Sequence, residues 1–174
     1  RQLGCSYKTA WILLHRLRRA MVNDARSALR GRVEADEVLI GGPAKDKTGR
    51  GVAQAPHVTL VFGAVEVISY TGKHGEKAEK AGRLRLAVTK NAAAVSIRRF
   101  LTANIESGGN IYTDGWKGYS KTALAGYGHE LHPSGTHARH IHRAFGNLKT
   151  WLNGTHHGVE PKHLQSYLDE YIFR

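Results

Sequence analysis

Apolar residues recur at helical spacing near the start of the chain. Ala10, Ile12, Leu13, Leu14, Leu17 and Met21 alternate with basic residues across 6–23, and Ser6 stands where an N-cap belongs. An amphipathic helix is predicted there. With the turn-forming QLGCS before it, the segment suits the second helix of a helix-turn-helix whose first helix is cut off; a helix with a solvated basic face accounts for the same residues equally well.

From residue 31 the period changes. GRVEADEVLIGG (31–42) is β-type and ends in two glycines, so it reads as a strand running into a turn. HVTLVFGAVEVIS (57–69) and GRLRLAVTK (82–90) read as two more strands, with the polar, Lys-rich 71–81 between them as a hairpin loop. Three strands so connected make an antiparallel meander. A helix over 92–105 follows, then the short strand NIYT (110–113), then Asp114 and a Gly-Trp-Lys-Gly-Tyr segment that reads as the start of a helix. Residues 126–140 are rich in Gly and His and are expected to be irregular. Helical periodicity returns over 140–154 and 161–174, the latter opening at Pro161. Helix and strand alternating after a meander predict an α/β fold with a mixed sheet and flanking helices.

Charge adds a partner class. Lys and Arg number 26 against 14 Asp and Glu, for a formal charge of +12 over 174 residues and a pI near 10.1. One strongly basic domain is expected, and a polyanion is the commonest partner for such a surface. The basic, Gly-rich stretch 43–54 lacks periodicity and reads as a loop whose Lys45, Lys47 and Arg50 are candidate DNA contacts. No apolar run approaches the roughly 20 residues that span a bilayer, and no signal-peptide order is present, so a cytoplasmic location is expected and a membrane partner is not. The single cysteine, Cys5, excludes an internal disulfide or a multi-cysteine zinc site within these residues. A start without Met and a stop inside an apparent helix are those expected of a fragment.

Candidate chemistry rests on carboxylates. Asp36 lies inside a predicted strand, where Asp is disfavoured, and Asp114 at the end of another; in a sheet of this order the first and fourth strands can be neighbours. Two aspartates meeting there would suit Mg²⁺, which takes oxygen ligands and keeps waters and phosphate oxygens in its remaining positions. Alone, Asp114 before Gly115 reads as a turn or cap residue. Glu34 shares the Asp36 face and Glu37 takes the opposite one; both read as structural, as partners for Lys or Arg.

VEADEVLIGG, IYTDGWKGYS and HRAFGNLKTWLNGTHHGVEPKHLQSYLDEYIFR, in that order and with a meander between the first two, resemble the catalytic domain of DDE-type bacterial insertion-sequence transposases. The resemblance is to the branch with an upstream zinc ribbon and helix-turn-helix. It implies an RNase H-like fold over 29–174, truncated at its C-terminus, with 1–28 as the end of the helix-turn-helix segment. It also implies two Mg²⁺ ions, cleavage of transposon ends and strand transfer into target DNA, in the bacterial cytoplasm at the nucleoid. The partners implied are double-stranded DNA, as terminal inverted repeats and as target, and further copies of the chain assembled on it.

By the same resemblance Asp36 and Asp114 match the first two catalytic aspartates. The third position departs from the usual pattern: the late helix has no Glu before Lys149, and His142 sits seven residues earlier, on the same helical face. Asn147 is the alternative third residue, pointing about 140° away on an ideal helix. An imidazole ligand would tolerate or favour Mn²⁺. Lys149 and Lys117 are candidate DNA contacts. His129, His132, His137, His140 and His142 raise a zinc site, against which a pH-sensitive DNA-contacting loop is preferred. Trp116, Tyr119 and Trp151 read as core rather than base-stacking residues. Two rivals remain, an RNase H-like nuclease that does not join strands and a catalytically inactive basic DNA-binding module.

Overall fold

A computed structural model describes residues 4–23, 25–41, 57–131 and 138–174. The meander is present as β1 (Arg32–Ile40), β2 (Thr59–Thr71) and β3 (Lys77–Thr89), followed by α2 (Ala94–Asn104), β4 (Asn110–Thr113), β5 (Gly128–Leu131), α3 (Arg139–His156) and α4 (Leu164–Phe173), with α1 (Tyr7–Ala20) in front. A 3-10 turn, Pro161–His163, leads into α4 and carries the predicted proline at its start. The sheet order is β3-β2-β1-β4-β5, antiparallel among the first three strands and parallel from β1 to β5. This is the expected mixed α/β sheet with flanking helices, consistent with an RNase H-like fold.

Alternation along β1 divides the core. Val33 and Ala35 face α2 with Phe62, Ile97, Leu101 and Ile111. On the other side Val61, Val65 and Leu86 meet Ile141, Phe145 and Leu148 of α3 and Leu164 and Leu168 of α4. Glu34 and Asp36, at the even positions, therefore point to the α3 side.

Four expectations change. The Lys-rich 71–81 is mostly strand: β2 and β3 pair out to Thr71 and Lys77, past the Val33–Glu66 pair near the start of β1, and turn only over Gly72–Glu76. Water on both faces of that ribbon leaves no apolar alternation to read. Residues 126–140 contain β5, a four-residue edge strand of Gly, His, Glu and Leu whose pairing with β4 is a matter of backbone. No helix starts after Asp114; Gly115–Gly126 is a run of turns, with Tyr119 N–H bonded to Trp116 O at 3.1 Å. Ser6 does cap α1 through Thr9 N–H at 3.2 Å, but the helix docks by the stripe Trp11, His15 and Arg18, while Leu13, Leu14 and Leu17 are exposed. Arg18 decides this orientation: its Nε binds Glu170 of α4 at 2.7 Å and its guanidinium lies 4.1 Å from the centre of the Tyr167 ring.

Candidate active site

The parallel β1–β4 pairing ends with Glu34 opposite Tyr112. Asp36 comes two residues further along β1, and Asp114 two residues further along the chain, just past the end of β4, so the two aspartates follow in step on neighbouring strands and are near enough for the Asp114 charge to act on Asp36. Asp114 Oδ1 accepts the Trp116 amide at 3.1 Å, so the turn-cap reading also holds. Asp36 Oδ1 accepts the Glu37 amide at 2.8 Å.

Helix α3 brings the third group. His142, in its first turn, puts Nε2 3.3 Å from Asp36 Oδ2. The close approach depends on Gly63, which pairs with Asp36 across β2: a Cβ there would stand 2.5 Å from the Phe145 ring and 2.8 Å from Ile141 Cδ1. Lys149 is exposed two turns along α3 on the His142 side, and Asn147 is exposed on a different face. Lys117 is exposed in the turns after Asp114. Lys45, Lys47 and Arg50 lie outside the described residues.

Burial pushes the Asp36 carboxyl above its ordinary range, against the Glu37 amide and His142, which favour the charged form; the nearby Asp114 carboxylate adds to the rise. Beneath the pair, Tyr119 donates its hydroxyl to Glu37 Oε2 at 3.2 Å, and burial, then the Glu37, Asp36 and Asp114 charges, raise its pKa well above normal. Tyr119 is core, as expected, and Trp116 and Trp151 pack against the two core clusters.

Glu34 does not pair with Lys or Arg among the described residues. It is fully buried and accepts the His140 and Ile141 amides. Sequence alone missed this; the signal available was a Glu inside a strand on the Asp36 face. Among the described residues the histidines do not converge. His129 Nε2 is 2.9 Å from Thr113 Oγ1, and His140 Nε2 is 3.9 Å from Glu79 Oε2, while His132 and His137 lie outside the described residues.

Two carboxylates and an imidazole are a donor set that fits a divalent cation chemically. Among the described residues no three His, Cys, Asp or Glu side chains already stand as a metal-holding group. Asp36 and His142 are in contact, and Asp114 would have to close on them. No described helix is long and apolar enough to cross a membrane.

Comparison with known proteins gives one match: a family model described as ISXO2-like transposase domain covers residues 28–174. No curated protein and no solved structure matches the chain.

Proposed function

The chain belongs to the ISXO2-like transposase family, and from that premise we propose that it cuts DNA at the ends of a mobile element and joins the cut strand to target DNA, using divalent cations held by Asp36, Asp114 and His142. One observation carries this reading. In a chain with 26 Lys and Arg, neither aspartate is ion-paired with any of them among the described residues, and the side chain that meets the Asp36 carboxylate is His142, at 3.3 Å. Two carboxylates on neighbouring strands with no Lys or Arg partner among the described residues leave room for another cation.

Bound there, Mg²⁺ or Mn²⁺ would supply Lewis acidity to the phosphate and the attacking oxygen. The chain's own residues do the positioning. Asp36 presents its oxygens from within β1, Asp114 from just past the end of β4, and His142 presents Nε2 from α3. Lys149 and Lys117, with Lys45, Lys47 and Arg50, bind backbone phosphates. In the first step water oxygen bonds to phosphorus and the bond to the 3′-oxygen breaks, leaving a 3′-hydroxyl and a 5′-phosphate. In the second that 3′-oxygen attacks a target phosphate, loses its proton, and releases the target's own 3′-hydroxyl. The reaction takes place on DNA in the bacterial cytoplasm, with copies of the chain assembled on paired ends.

A second reading, an inactive DNA-binding module, is favoured by the imidazole at the third position and by the unassembled three-ligand group. A labelled duplex bearing the element's terminal sequence, incubated with target plasmid and Mg²⁺ or Mn²⁺, separates the readings. Active transposase yields nicked and joined products that Asp36→Asn and Asp114→Asn abolish; nicking without joining indicates a nuclease. Wild-type protein that binds the duplex and makes neither product is the inactive module.

A further inference from the structure

Glu34 is 0% exposed, two residues before Asp36 on the same face of β1. Its Oε2 accepts two amides of the first turn of α3, His140 N–H at 2.8 Å and Ile141 N–H at 3.1 Å. Its Oε1 is buried with no hydrogen-bond partner among the described residues. A buried carboxylate with one oxygen unsatisfied is an expensive way to satisfy two amides. A Ser, Thr or Asp at the helix's own N-cap would do it locally, yet that position is Ala138, which has no side-chain acceptor.

What a remote cap adds is a tie between two elements. Glu34 holds the amide of Ile141, the residue before His142, and belongs to the strand that carries Asp36. The two bridges from β1 to α3, Glu34 to His140 and Ile141 and Asp36 to His142, are spaced two residues apart on the strand and within one turn of the helix. A helix turns 100° per residue, so fixing two successive amides of the first turn sets both the height and the rotation of α3 at His142. Glu79 of β3 holds the same turn from outside, accepting from Arg139 at 3.3 Å and pairing with Arg32. Gly63 leaves the space into which the helix settles.

We propose that Glu34 is a positioning residue that pins the first turn of α3 to β1 and so aims His142 at Asp36. The inference rests on reading Asp36 and His142 as a functional pair, but its central readout does not require activity.

The test uses the 174-residue chain with labelled histidine. The His142 ring signal in NMR spectra, identified by its loss in His142→Ala, is followed at fixed pH alongside end cleavage and DNA affinity. Glu34→Leu removes the acceptor, Glu34→Asp withdraws it by one methylene should the Leu variant fail to fold, and Glu34→Gln keeps an acceptor oxygen in place. Leu168→Ala, a buried α4 position in the core that α3 shares, leaves the Glu34 acceptor in place and is the control for lost stability. The expected result is a displaced His142 signal in the Leu or Asp variant, with cleavage down roughly 100-fold and DNA affinity within about twofold. The Gln variant should recover most of both, and Leu168→Ala should leave the signal in place below its melting temperature. A folded Leu or Asp variant whose His142 signal is unmoved, or moved no more than in Leu168→Ala, overturns the proposal. Should wild type cut no DNA, the transposase reading fails while the ring signal still decides the role of Glu34.

Discussion

His142 Nε2 on α3 lies 3.3 Å from Asp36 Oδ2 on β1. The Asp36 side chain is 13% exposed and that of His142 53%, so the carboxylate is set back in the sheet while the imidazole borders solvent. Of the two candidate third residues, His142 touches Asp36, whereas Asn147 is exposed on another face of the helix.

Replacing His142 by Ala should therefore lower cleavage by about 100-fold or more, the scale on which loss of one charge-stabilising group acts. Asn147→Ala should stay within about threefold. End-cleavage rates at saturating DNA make the comparison.

The raised pKa of Asp36 has a consequence for stability. A carboxyl harder to ionise in the folded than the unfolded state destabilises the fold when ionised and has no effect when protonated. Asp36→Asn should thus raise the melting temperature near neutral pH in EDTA. The gain should shrink as pH falls through the raised folded pKa, and vanish below the ordinary aspartate range. Melting curves across pH check the sign, and added Mn²⁺ should narrow the gap by stabilising only the wild type.

Gly63→Ala should push α3 from the sheet, because its Cβ would overlap the Phe145 ring and Ile141. Overpacking of this kind costs about 1–3 kcal/mol. Cleavage measured well below the melting temperature should fall further than that loss of stability explains, since His142 moves with the helix.

Lys149→Ala should weaken DNA binding across sequences and reduce the slope of log affinity against log salt by about 1. Fluorescence anisotropy at several salt concentrations gives both quantities.

The ion pair between Arg18 and Glu170 is nearly enclosed, with side chains 7% and 12% exposed. Glu170→Ala leaves a buried guanidinium unpaired and should cost about 3–5 kcal/mol, whereas Arg18→Met with Glu170→Leu should recover most of it. Denaturant titration distinguishes the two.

The sequence reveals the elements whose apolar period is strong and the pairing that follows from their order. The meander, α2, β4 and α3 are all predicted, and so is the neighbourhood of β1 and β4 that sets Asp36 beside Asp114. Backbone-driven features stay hidden. β5 and the outer ribbon of β2 and β3 are polar on exposed faces, and only strand pairing reveals them. The turns after Asp114 read as a helix because Trp116 and Tyr119 are three residues apart, whereas their rings pack from a non-helical backbone. α1 docks by a polar and aromatic stripe because Arg18 finds Glu170, 152 residues away in sequence. Glu34 reads as structural from the sequence, but its partners stay hidden for the same reason: they are amides on a helix over a hundred residues later.

Binding of Mn²⁺ to the purified chain, measured by titration calorimetry without DNA, tests the three-residue site most directly. The account predicts binding by wild type and Asn147→Ala that is lost or weakened at least about tenfold in Asp36→Asn, Asp114→Asn and His142→Ala. Equal Mn²⁺ affinity in wild type and both aspartate variants would contradict it.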